Sequence, residues 1–172
     1  ILPLTLLLVF SADRLPGAAP EPLVFEKETV AQALKTYRTD IIKISSSSLK
    51  LLTTGRFSEA EEQLDALLAE RQLNENGVRV LELVYTHLSL TTPIATLDRW
   101  CDASPNSHHP FTVRGMHSLE KAEALGGAAV GALLSSGNRN SYNRAVLSGE
   151  NDLQKAYSLN SGNPAAAAAM VV

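Results

Sequence analysis

The chain has 172 residues, 45% of them hydrophobic, 19% charged and 5% aromatic, which suits one domain with a real core and is too short for two. A net charge of −3 excludes the basic footprint that DNA, RNA or an anionic membrane surface requires. The single cysteine, Cys101, excludes an internal disulfide, a CxxC redox pair and a multi-cysteine zinc knuckle.

Residues 1–12, ILPLTLLLVFSA, form a mostly apolar run followed at once by Asp13, Arg14 and the stretch LPGAAPEP. That is the length and flank of a signal-peptide core, and it falls short of the roughly 20 apolar residues of a membrane span. Export to the periplasm or beyond is therefore expected, with a cytoplasmic location if this run is not a signal. The chain opens on Ile1 and shows no basic segment before the apolar run, so a trimmed start is expected as well. Residues 13–26, with Pro16, Pro20 and Pro22, read as a linker, and residues 27–172 as a single helical domain cut short at its C-terminal end.

From Thr29 the apolar positions Val30, Leu34, Tyr37, Ile41, Ile44 and Leu51 keep helical spacing, with Ser45–Ser48 as a weak point and Gly55 as the stop. Ser58 and Glu61 make a capping-box pattern for a helix that turns Ala60, Leu64, Leu67 and Leu68 inward and its acids outward. A turn is expected at Asn74–Gly77. In VRVLELVYTHLSL the polar positions Arg79, Glu82, Thr86 and Ser89 form one narrow stripe, as in a helix packed on several sides, and this segment is the expected central helix. Thr92 and Pro93 suggest a cap and first-turn proline for the next helix, whose buried face is Ile94, Leu97 and Trp100 or Cys101. Pro105 ends it. Pro110 suits the first turn of another helix, on which Phe111, Gly115, Leu119 and Ala122 share a face whose small residues admit a close neighbour. The Gly- and Ser-rich residues 126–141 are expected to be irregular with at most a short helix, residues 142–159 helical, and Asn163 with Pro164 to start a last helix. No segment alternates as hairpin strands do, so the expected class is all-α with no sheet.

LTTGRFSEAEEQLDALL resembles the middle of a tetratricopeptide repeat, and DLQKAYSLNSGNPAAA the end of one repeat and the start of the next. No fixed period links the two stretches, so a regular array is not implied. Over about residues 48–172 the chain also resembles a bacterial domain-of-unknown-function family, through Leu97, Trp100, Pro105, Ser107, Arg114, Gly115, Asp152, Leu153 and Ala156. It departs from that family's pattern at Ser161 and Gly162, where the family tends to carry Pro, and in AEALGG, which lacks a second Arg-Gly. The resemblance implies an irregular, tetratricopeptide-like stack of antiparallel helix pairs and brings no activity with it.

RWCDASPNSHHP concentrates the only Trp, the only Cys and two of the four His within residues 99–110. Cys101, Asp102, His108 and His109 are ligand types for zinc. Their spacing argues against a site, because adjacent histidines are expected to diverge and a closed set would need His87 or His117 as well. The expected reading is a buried Cys101 beside a core Trp100, two exposed loop histidines, and no metal or cofactor. Arg114 is expected to bond carbonyls at the end of the 93–104 helix or to pair with Asp98 or Asp102, or else to clamp an anion in a groove. The function expected is a non-catalytic helical domain that binds a protein or peptide, with Arg79, Tyr85, Arg114 and Tyr142 as binding residues and no catalytic residue. The alternative is a metal- or thiol-dependent enzyme using Cys101 with His108 and His109.

Overall fold

In the computed structural model, residues 41–70, 79–126 and 136–169 are described. The apolar segment 1–12, the linker 13–26, the first positions of the opening helix and the turn expected at Asn74–Gly77 lie outside them.

The described residues are all-α. The helices are α1 (41–53), α2 (Phe57–Glu70), α3 (Val80–Thr91), α4 (Ile94–Ala103), α5 (His108–Gly126), α6 (Ser136–Leu159) and α7 (Pro164–Ala169). None is long and apolar enough to cross a membrane.

The serines do not break α1. Ser45 donates its hydroxyl to the Ile41 carbonyl at 2.7 Å, and Ser48 reaches Gln63 on α2 at 3.2 Å. The helix stops at Gly55, whose φ of 78° lets Arg56 N–H return to Leu51 O (2.9 Å) and Gly55 N–H to Leu52 O (3.1 Å). This paired closure uses the left-handed conformation that glycine adopts without a Cβ clash.

Helix α2 begins one residue before the expected cap, and the Glu61 carboxylate turns away from Ser58 to accept the indole N–H of Trp100 at 2.7 Å. Thr92 likewise belongs to the preceding helix, donating its backbone N–H to Leu88 O, while Pro93 supplies the carbonyl that opens α4. Ile94, expected to be buried, is 46% exposed, because α4 turns Leu97, Trp100 and Cys101 inward.

The core gathers around α3. Val80, Leu81, Val84, Tyr85 and Leu88 pack with Leu51 and Leu52 of α1, Ala60 and Leu64 of α2, Leu97 and Trp100 of α4, Val113 of α5 and Ala165 of α7. Leu67 and Leu68 pack against this cluster from α2, as their spacing implied.

Helices α5 and α6 form the longest contact of the fold and run antiparallel, since Arg114 meets Asp152 and Leu119 meets Gly149. A Cβ on Gly115 would stand 2.7 Å from Leu153 Cγ and 3.1 Å from the Gly149 carbonyl. One on Gly149 would stand 2.9 Å from Leu119 and 3.0 Å from the Gly115 carbonyl. Two glycines thus set how near the backbones come. Helix α6 starts at Ser136, so residues 136–141, expected to be irregular, are helical.

Candidate functional site

His108 and His109 are not loop residues. They open α5 and are buried, 8% and 1% exposed, with ring centroids 4.0 Å apart. Pro105 and Asn106 make the turn after α4, and Ser107 N–H to Ser104 O at 3.1 Å delivers the chain into the helix.

Around them lies a polar network inside the core. His109 Nδ1 meets the Tyr85 hydroxyl at 2.5 Å, and its Nε2 meets Asp65 Oδ1 of α2 at 2.9 Å. Asn163 Nδ2 reaches His108 Nδ1 at 3.1 Å, Thr112 Oγ1 at 3.3 Å and Tyr85 Oη at 3.4 Å. Its Oδ1 accepts the Ala165 backbone N–H at 3.1 Å, the N-cap bond of α7.

That cap fixes the direction of the chain of bonds. With Oδ1 occupied by a donor, the Asn163 NH₂ must face the interior, so His108 Nδ1 accepts and its proton sits on Nε2. An ionised Asp65 requires the His109 proton on Nε2, so His109 Nδ1 accepts from the Tyr85 hydroxyl. The network therefore ties α2, α3, α5 and α7 together through neutral imidazoles. Burial, aided by the neighbouring His109, pulls His108 down to about 4 against the opposing pull of Asp65. Burial lowers His109 too, with Asp65 and Glu61 acting the other way. Tyr85 is raised well above its ordinary value, chiefly by burial.

Beside the histidines a hollow of about 450 Å³ is bounded by Glu61 and Asp65 of α2 and by the turn from Ala103 to Ser107. Asp65, His108 and His109 each offer one ligand atom, and these atoms lie within 4.8 Å of one another. Cys101 is not among them. It packs with Phe111, Ala156 and Ala166, and burial pushes its thiol up to about 12. The thiol thus sits in apolar packing, apart from the cluster that the two histidines form with Asp65.

A second, larger groove of about 690 Å³ lies between α4, α5 and α6. Its walls include Ile94, Asp98, Arg114, His117, Lys121, Leu125 and Arg144. Arg114 bonds Asp152 through two hydrogen bonds, 2.7 and 2.8 Å, and Asp98 through one of 3.0 Å, and these partners raise its already high pKa. Asp98 thus shares Arg114 with Asp152 and stays half-exposed. Lys121 and Arg144 make no ion pair among the described residues.

The four expected binding residues do not converge. Arg114 lines the groove. Tyr85 is fully buried, with its hydroxyl on His109, and offers no surface to a partner. Arg79 caps the start of α3 and Tyr142 sits beside the groove residue Ser141 on α6; both are half-buried, and no bond joins them to the others. Lys121 and Arg144 escaped the sequence reading because each is an isolated cation on a polar helix face. Asp65, which meets Glu61 at helical spacing, was not legible as a partner of the histidines because nothing in its neighbourhood marks it off from the other acids of α2. Asn163 was legible as a helix start, and its second role follows only from the fold.

No protein-family model, curated protein or solved structure matches the chain.

Proposed function

We propose that this domain is a non-catalytic helical scaffold that binds a protein or peptide partner, and that the partner presents an acidic segment to the groove between α4, α5 and α6. One observation carries the reading: Lys121 of α5 and Arg144 of α6 line the same groove with no ion pair among the described residues, while Asp98 there is hydrogen-bonded to Arg114. Exposed Ile94 on α4 adds apolar area to the groove lining, as an amphipathic acidic helix would match. A tetratricopeptide-like stacking of the helix pairs and export from the cytoplasm belong to the same proposal. They are supported by the repeat-like stretches at Leu52–Leu68 and Asp152–Ala167 and by the apolar run at 1–12.

The test uses a fluorescent acidic peptide of Glu and Leu, titrated by anisotropy at low and at physiological salt. Binding that weakens with salt and drops about tenfold or more in Lys121→Glu and Arg144→Glu supports the groove. Binding that is absent at low salt, or indifferent to both reversals, overturns it.

A further inference from the structure

We infer that Asp65, His108 and His109 hold one divalent transition-metal ion of the zinc class at the hollow between α2 and the α4–α5 turn. The inference is independent of the peptide groove, which lies between α4, α5 and α6.

The donor set is the first argument. Two imidazoles and one carboxylate are the ligand types that zinc and its first-row neighbours take, and three protein ligands leave a further position for water from the hollow. The separations are the second. His109 Nε2 and Asp65 Oδ1 are 2.9 Å apart, close to the roughly 3.3 Å that two ligands of a tetrahedral ion keep between them when each is about 2.0–2.1 Å from the metal. The third donor lies within 4.8 Å of both, in a site whose histidines are buried and whose carboxylate is exposed. Behind the ligands, Tyr85 touches His109 Nδ1, and its oxygen is a partner of the kind that holds a metal-binding imidazole in orientation.

Two effects oppose the ion. The N-terminus of α5 carries a partial positive charge of roughly half a unit, which the carboxylates of Asp65 and Glu61 at the same hollow outweigh. Each histidine must also move its proton from Nε2 to Nδ1, with no net proton gained or lost. For His109 the Tyr85 oxygen can accept that proton. For His108 it meets the Asn163 NH₂, a donor, so binding through Nε2 requires the Asn163 side chain to shift away from His108 and loosens its cap on α7.

The experiment takes untagged protein stripped with EDTA and titrates it with ZnCl₂ and with CoCl₂. One zinc per chain is expected, together with a visible cobalt band that lacks thiolate charge transfer, since Cys101 is not a ligand. Asp65→Asn keeps an acceptor for the His109 N–H, so the fold is retained while the affinity falls about tenfold or more. Tyr85→Phe weakens binding about tenfold through the imidazole behind which it stands. His87→Gln, outside the cluster, leaves binding unchanged. Failure of the wild type to take up zinc stoichiometrically, or uptake that survives Asp65→Asn, overturns the inference.

Discussion

Arg114 of α5 donates two near-parallel hydrogen bonds, of 2.7 and 2.8 Å, to the carboxylate of Asp152 on α6. The Asp152 side chain is 10% exposed and that of Arg114 23%, so the pair sits at the edge of the core. Removing one partner of a buried pair strands the other charge, at a cost of 3–5 kcal/mol for full burial, and the partial exposure here brings that down to about 2 kcal/mol. Asp152→Ala should therefore lower the urea midpoint by the equivalent of about 2 kcal/mol, and Arg114→Lys, which cannot bond two oxygens at once, by about half as much. A change within error for Asp152→Ala would mean that Asp98 alone satisfies Arg114.

The α5–α6 crossing makes a second prediction. Alanine is worth up to about 1 kcal/mol over glycine inside a helix, so Gly149→Ala would stabilise an exposed helix. Here its methyl would lie 2.9 Å from Leu119 and 3.0 Å from the Gly115 carbonyl, and the backbone atom cannot step aside. Overpacking of this kind costs about 1–3 kcal/mol, so the net change should be destabilising by about 1 kcal/mol. Thermal unfolding checks the sign. A higher melting temperature would show that α5 and α6 move apart freely.

What was legible in the sequence follows from which signals are local. The helices from 80 to 103 and the close face around Gly115 were readable because apolar spacing and small residues report the burial of a helix face directly. Ser58 and Thr92 misled because a capping pattern names only the residue types; Glu61 finds a stronger partner in Trp100, and Thr92 is taken by the preceding helix. The histidine site was illegible for another reason. Its members come from positions 65, 85, 108, 109, 112 and 163, and adjacent histidines look divergent until the first turn of α5 folds their rings together.

Thr92 also carries a cost that can be removed. Its hydroxyl is buried and has no hydrogen-bond partner among the described residues. An unsatisfied buried polar atom is unfavourable by about 1–3 kcal/mol, and valine has nearly the same shape and suits the extended backbone of Thr92, φ −83° and ψ 127°. Thr92→Val should raise stability by about 1 kcal/mol in chemical denaturation. A loss would mean that the hydroxyl is bonded to water.

Cys101 should behave as a core residue. With its thiol pushed up to about 12 by burial, little thiolate exists at pH 8, and nucleophilic reactivity follows the thiolate. Alkylation by iodoacetamide in native buffer should run about a thousandfold slower than in urea. Comparable rates would show that the packing with Phe111, Ala156 and Ala166 opens readily.

The histidine pair predicts how stability responds to acid once metal is removed with EDTA. Both groups lie below their ordinary value of 6.5 in the folded protein, His108 at about 4. Below pH 6.5 the unfolded chain binds protons that the folded one refuses, so stability is complete above that pH and declines as pH falls toward 4. His108 can contribute a slope of at most about 1.4 kcal/mol per pH unit in that window, less what solvent screening removes. Asp65 and Glu61 temper the slope for His109 by favouring its charged form, which leaves His108 as the larger contributor. Protonation of His108 would set an N–H against the Asn163 NH₂ and so loosen the cap of α7. His108→Asn supplies an oxygen near the place of Nδ1 and cannot titrate, so its urea midpoint should fall less between pH 6.5 and 4.5 than that of the wild type. Parallel pH profiles for the two proteins would show that His108 is not the group that makes the fold acid-sensitive.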